Sequence, residues 1–290
     1  MISVVQLGTI DYATALHLQQ HLIALRKDGK IGDVLLLLEH SPVITLGRNA
    51  KAGNVIASPE LLARRGVDLF ECDRGGDVTF HGPGQIVGYP IFDLRGFRRP
   101  SSLSSRASQS ESDGESRDLG FPVRKHLGVV EFVRCLEDVL MRTCADFSIA
   151  TKRVAGLTGV WTEPTLSSRA DENDSQNRSL KSRDLEVALG YPESKLAAIG
   201  VHVSRFVTSH GFALNVNTDL SYFNLIVPCG IASKPVTSMR RELGYNIDLN
   251  AVAESISRNF GVVFQAQILW IDSLDALLDA CGAGAPARVP

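Results

Sequence analysis

Residues 33–46 read Asp33-Val34-Leu35-Leu36-Leu37-Leu38-Glu39-His40-Ser41-Pro42-Val43-Ile44-Thr45-Leu46. An aliphatic run bounded by Asp33 and Glu39, then a polar break and a second short apolar run, fit two buried strands. Neither approaches the roughly 20 apolar residues of a membrane-spanning helix. The break Glu39-His40-Ser41-Pro42 is a hairpin-like signal. Upstream, Asp11 to Lys27 spaces Ala13, Leu16, Leu18, Leu22, Ile23 and Leu25 roughly as a helix does, with Asp11 placed to cap its start. Downstream, Val67–Cys72 and Ile86–Leu94 read as strands bracketing a glycine-rich loop. Val129 to Cys144 reads as an amphipathic helix, and Gly159-Val160-Trp161, Leu196–Val203 and Gly211–Val216 as further strands. Leu249 to Phe260 is expected to be the last helix. Strands with helices between and after them predict an α+β, or mixed α/β, fold around a largely antiparallel sheet.

The chain has 290 residues, 44% apolar and 21% charged, with a formal net charge of −2. That balance excludes a collagen-like or wholly disordered chain, and it disfavours a nucleic-acid binder that works by bulk positive charge. Five widely spaced cysteines with no C-x-x-C pair fit neither a disulfide framework nor a thiolate zinc site, so a reducing, cytoplasmic setting is expected. No secretory or transit signal is visible at the N-terminus. Two serine-rich stretches, Ser101–Asp118 and Ser167–Asp184, carry too few apolar side chains to offset their ordering entropy. They predict flexible insertions, at about 100–118 and 166–184, in one catalytic domain spanning 1–282, followed by a frayed tail at 283–290.

Three segments carry chemistry. The loop Arg74-Gly75-Gly76-Asp77-Val78-Thr79-Phe80-His81-Gly82-Pro83-Gly84-Gln85 lets backbone approach a ligand closely and adds a cation, an imidazole and an amide, without matching a dinucleotide or Walker spacing. Lys195 opens the apolar run Leu196-Ala197-Ala198-Ile199-Gly200-Val201, where partial desolvation suits an amine to acid/base work. Cys229, between Pro228 and Gly230, sits on a tight irregular segment, unlike Cys135 and Cys144, whose helical spacing reads as core packing. Cys72, beside the glycine-rich loop, is the second candidate thiol. His202 and His210 read as structural, and no cluster has metal-ligand spacing.

Together with Pro42-Val43-Ile44-Thr45-Leu46-Gly47-Arg48 and His210-Gly211-Phe212-Ala213-Leu214-Asn215, these segments resemble the octanoyltransferases of lipoate biosynthesis, in order and through nearly the whole chain apart from the insertions. The resemblance implies the fold of biotin and lipoate protein ligases. It also implies transfer of an octanoyl or lipoyl group from acyl carrier protein to a lysine of a lipoyl domain, through a thioester on Cys229 assisted by Lys195. Acceptors would be the lipoyl domains of 2-oxoacid dehydrogenases and the glycine cleavage H protein. Arg74, Gly75, Gly76, Asp77, Val78, Thr79, Phe80 and His81, with Ala198, Ile199, Gly200, Gly211, Phe212 and Ala213, match the segments that line the acyl site. No cofactor, metal, nucleic acid or membrane insertion is implied, and a monomer is expected.

The chemistry is consistent with these residue types. An ordinary thiol is about 3% ionised at pH 7, and about 2 kcal/mol of stabilisation brings it to half ionisation. A lysine ammonium about 4 Å away supplies up to about 4 kcal/mol at an effective dielectric near 20, before desolvation. Small residues, Ala197, Ala198, Gly200 and Ala213, would leave room for an acyl chain, and N–H groups around Cys229-Gly230 or Gly75-Gly76 would hold the tetrahedral oxygen. His81 would position substrate. Arg48, Lys51, Arg98, Arg99, Arg240 and Arg241 would form a basic rim for acidic carriers. Competing readings are an ATP-dependent lipoate or biotin protein ligase, for which a cysteine nucleophile is unnecessary, a non-catalytic carrier-binding module of the same fold, and a thioesterase pairing Cys229 with His81.

Overall fold

The computed structural model describes residues 1–97, 126–163, 193–231 and 234–279. Both serine-rich stretches, 100–118 and 166–184, and the tail 283–290 lie outside the described residues, as do Arg98, Arg99 and Cys281.

The chain runs β1 (Ile2–Ile10), α1 (Tyr12–Lys27), β2 (Asp33–His40), β3 (Val43–Leu46), α2 (Pro59–Arg65), β4 (Asp68–Glu71), β5 (Val78–His81), β6 (Gln85–Ile91), α3 (Val129–Asp146), β7 (Thr151–Val154), β8 (Leu157–Thr162), β9 (Lys195–Ser204), β10 (Val207–Asn215), α4 (Met239–Leu243), α5 (Leu249–Phe264), β11 (Ile268–Trp270) and α6 (Leu274–Asp279). The large sheet has the order β11-β1-β2-β6-β10-β9-β8-β7, and a small sheet has the order β4-β3-β5. Among the described residues of the large sheet the β11/β1 and β1/β2 pairs are parallel and the other pairs antiparallel, as the strand-rich pattern predicts.

The run Val34–Leu38 is continuously apolar because β2 is central and covered on both faces. Leu35 and Leu37 pack with Phe92, Phe132 and Phe260 under α3 and α5, whereas Val34, Leu36 and Leu38 pack with Ala15, Leu18 and Leu22 of α1. Helix α1 begins as expected, Asp11 accepting the Thr14 N–H at 2.9 Å, and Arg26 and Lys27 occupy its last turn, where cations favour the dipole. The hairpin expected at 39–42 does not form. β2 already has β1 and β6 as neighbours, so the chain crosses to the small sheet, where β3 pairs with β4 and β5. Strand β1 had no counterpart in the sequence reading, and α5 is followed by β11 and α6 rather than ending the ordered elements.

Candidate active site

Loops of the small sheet cover the face of the large sheet formed by β6, β9 and β10, enclosing a cavity of about 220 Å³. Its wall includes Lys195, Cys229, Arg74, Gly75, Gly76, Asp77, Thr79, His81, Ala198, Ile199, Gly200, Gly211, Phe212 and Ala213. Val78 and Phe80 do not reach it. Side chains alternate along β5, so while Thr79 and His81 face the cavity, Val78 and Phe80 fill the small core with Ile44, Leu62 and Phe223. The sequence reading missed Tyr12, Val87, Tyr89, Gly156, Leu157, Thr158 and Ile231 on the same wall, and His210, assigned a structural part, also lines it.

Lys195 and Cys229 meet there. Lys195, only 7% exposed, donates from Nζ to Cys229 Sγ at 3.1 Å, and the ammonium stands 4.8 Å from the centre of the Trp161 ring. Cys229 is partly exposed and lies in the left-handed region (φ 55°, ψ 19°), a conformation a side chain adopts only where its surroundings impose it. Gly230 follows at φ 68°, with no room for a Cβ, which would stand 2.6 Å from Asp77 Oδ2. Asp77 in turn accepts from Asn54 Nδ2 at 2.6 Å, and Asn54 O accepts from Val227 N at 2.7 Å, tying the cysteine turn to the glycine-rich loop. The backbone of Lys195 is joined to the chain just beyond Cys229: its N–H donates to Pro235 O at 2.8 Å, and its carbonyl accepts from Thr237 N at 2.9 Å.

Arg74 is buried and donates to neutral groups: Nε and Nη2 to Thr45 Oγ1 at 3.0 and 2.9 Å, Nη2 also to Thr45 O at 2.6 Å, and Nη1 to Gly75 O at 3.1 Å. The guanidinium therefore shapes the loop from within. His81 Nδ1 lies 2.8 Å from Gln85 Oε1, while Gln85 Nε2 donates to Phe80 O and Asn215 Oδ1, so the network assigns the proton to Nδ1. Nε2 is left as an acceptor 3.4 Å from Thr45 Oγ1. Burial, reinforced by His40 and Arg74, holds the His81 imidazole well below its ordinary range, keeping it neutral. That neutral acceptor suits an orienting part. On the opposite wall His210 Nε2 donates to Asp73 Oδ1 at 2.7 Å, and burial lowers its proton affinity too.

Two small-residue readings change. Gly200 makes room for backbone, since a Cβ there would stand 2.6 Å from Gly75 O; Ala197 faces the main core. Of the expected oxygen-binding amides, Gly75 donates to Val201 O and Gly230 to Val227 O, which removes both. Among the described residues no hydrogen bond engages the N–H of Gly76 or of Cys229. Arg48, Lys51, Arg240 and Arg241 are exposed. No group of three or more His, Cys, Asp or Glu side chains among the described residues could hold a metal ion, and none of their helices is long and apolar enough to cross a membrane.

A family model described as the lipoyl protein ligase A/B catalytic domain matches residues 11–109 and 119–261. The octanoyltransferase of Koribacter versatilis is 52% identical over 290 residues, covering 100% of this chain and 94% of that protein. The octanoyltransferase of Acidobacterium capsulatum is 48% identical over 280 residues, covering 96% of each. Among solved structures, a bipartite lipoate protein ligase from Thermoplasma acidophilum aligns with a TM-score of 0.60 over 97% of this chain and 91% of its own, at 11% identity, a likeness of fold.

Proposed function

The chain belongs to the octanoyltransferases, within the lipoyl protein ligase A/B catalytic-domain family, and on that premise we propose that it moves an octanoyl or lipoyl group from acyl carrier protein to a lysine of lipoyl domains through a thioester on Cys229. The observation that supports this course is the 3.1 Å contact between Lys195 Nζ and Cys229 Sγ at the cavity wall. At that separation an ammonium attracts a thiolate by about 5 kcal/mol at an effective dielectric near 20, before desolvation is set against it. About 2 kcal/mol suffices to ionise half of an ordinary thiol at pH 7.

Sγ attacks the donor carbonyl, the bond to the carrier sulfur breaks, and that sulfur leaves with the proton of Lys195. The acceptor amine then attacks the Cys229 thioester, the C–N bond forms, Sγ is released as thiolate, and Lys195 Nζ takes the amine proton. The N–H groups of Gly76 and Cys229 are the available donors for the tetrahedral oxygen. Arg74, Gly75, Asp77, Thr79, His81, Ala198, Ile199, Gly211, Phe212 and Ala213 line the acyl site, Gly200 gives room to the Gly75 backbone, and the exposed arginines and lysine form the rim for acidic carriers. We assign the enzyme to the cytoplasm as a monomer, serving lipoyl domains of 2-oxoacid dehydrogenases and the glycine cleavage H protein.

The test is incubation with octanoyl carrier protein without ATP, followed by intact mass and peptide mapping. An octanoyl adduct on Cys229 that passes to an added lipoyl domain is expected. Full transfer by Cys229→Ser, or transfer only with ATP, would overturn the course and in the second case favour a ligase.

A further inference from the structure

Lys195 and Ala198 both face the cavity, although an odd interval places two residues of a regular strand on opposite faces. The register explains it. Val160 of β8 opposes Ala197, whereas Trp161 opposes Lys195, so Leu196 is an extra residue and β9 bulges there. The bulge turns the amine away from the main core, where Leu196 is buried, and towards Cys229.

Gly159 stands against this bulge at φ 122°; a Cβ on it would lie 2.6 Å from Ala197 O and 3.5 Å from Lys195 Cε. Its N–H leaves the ladder and donates to Glu137 Oε1 at 3.2 Å. Glu137 of α3 is completely buried, and its Oε2 accepts from Arg134 Nη1 at 2.6 Å and Arg153 Nε at 2.7 Å. Arg153 is held further by Asp138 and by Arg134 O. A fully buried carboxylate with two guanidiniums on one oxygen leaves the other oxygen fixed in direction, and that oxygen holds the glycine packed against the stem of Lys195.

We infer that Glu137 is a positioning residue for the transfer reaction: through Gly159 it fixes the bulge that aims Lys195 at Cys229. The inference rests on the Lys195 and Cys229 pair acting as proposed above. It predicts that Glu137→Gln acts on the thiol from a distance. The two guanidiniums hold the amide oxygen, which turns the amide NH2 onto the Gly159 N–H and breaks that contact.

The readout is the rate of Cys229 alkylation by iodoacetamide at pH 7, followed on its own peptide, in the full chain. Lys195→Ala is expected to slow it roughly 10- to 30-fold, the ratio between an assisted and an ordinary thiol. Glu137→Gln is expected to slow it about fivefold. The double variant should match Lys195→Ala within about twofold, because one effect acts through the other. Arg153→Ala, which leaves Arg134 Nη1 on Glu137 Oε2 and so keeps Oε1 turned to Gly159, should lower the melting temperature and leave alkylation within about twofold. In transfer assays Glu137→Gln should lower kcat with the carrier KM unchanged. Gly159→Ala, which keeps every ion pair, should reproduce the slowing and covers the case in which Glu137→Gln does not fold. Alkylation at the wild-type rate in the folded variants, additive slowing in the double variant, or equal slowing by Arg153→Ala would overturn the inference. Equal rates for wild type and Lys195→Ala would instead sink the pair itself.

Discussion

Replacing Gly200 by alanine separates two parts that a small residue can play in this site. A Cβ on Gly200 would stand 2.6 Å from Gly75 O, against at least 3.4 Å for ordinary contact, so the loop must retreat by about 0.8 Å. Gly75 N donates to Val201 O at 3.1 Å from the same stretch, and that bond would stretch or break. Losing it costs about 1 kcal/mol, and strain in a packed wall adds about 1–3 kcal/mol. For a chain of this size the melting temperature should fall by roughly 5–10 °C. Arg74 and Gly76 ride on the displaced loop, and a shift approaching 1 Å at a reacting centre costs on the order of 100-fold. Calorimetry and kcat/KM with octanoyl carrier protein measure both. Acyl-length preference should stay as in the wild type. A Gly200→Ala enzyme of unchanged stability that favours shorter acyl chains would refute the reasoning and return Gly200 to the acyl slot.

Burial pushes the Cys135 and Cys144 thiols up to about 12, so iodoacetamide at pH 8 should leave both untouched in the native protein and modify them after denaturation; early labelling of either would contradict the described core. Burial lowers His40 to about 4, and the completely buried ring is held by Ile10 O at 2.9 Å and Tyr89 Oη at 2.6 Å. Below about pH 6.5 the unfolded chain binds a proton that the folded imidazole refuses, so stability falls with pH and the loss from this group is complete near pH 4, at about 3 kcal/mol. Urea midpoints between pH 7 and 4.5 should show that loss shrinking in His40→Gln; an undiminished slope in that variant would assign it to other groups.

Elements whose signal is local were legible. Helix α1 announces itself through Asp11 and its apolar spacing, and β9 and β10 through small-residue apolar runs. What depends on a partner was not. The break at Ser41-Pro42 is visible, but nothing in it tells that both flanks of β2 are already occupied. Likewise a motif is a string, whereas a strand has two faces, so Val78 and Phe80 were carried into the site with neighbours that point the other way. Pro, Gly and a run of small residues mark the backbones of Cys229 and Lys195 as candidates, and the fold sets the two side chains 3.1 Å apart. Glu137 gives no such sign: three residues from Arg134 on a helix, it reads as a surface pair, and only the fold brings Arg153 and Gly159 to it.

The bonds from Lys195 to Pro235 and Thr237 have a metrological consequence. The Cys229 sulfur and the Lys195 amine could have been referenced to each other through two sheets and the helices between, with the placement error of every layer accumulating along the way. Here the segment that carries Cys229 returns almost at once to clasp the backbone of Lys195 on both sides. The backbone that carries the nitrogen is thereby held by residues six and eight positions after the sulfur. Drift elsewhere in the molecule then reaches the pair through these bonds or through the Glu137 and Gly159 contact that aims the Lys195 side chain.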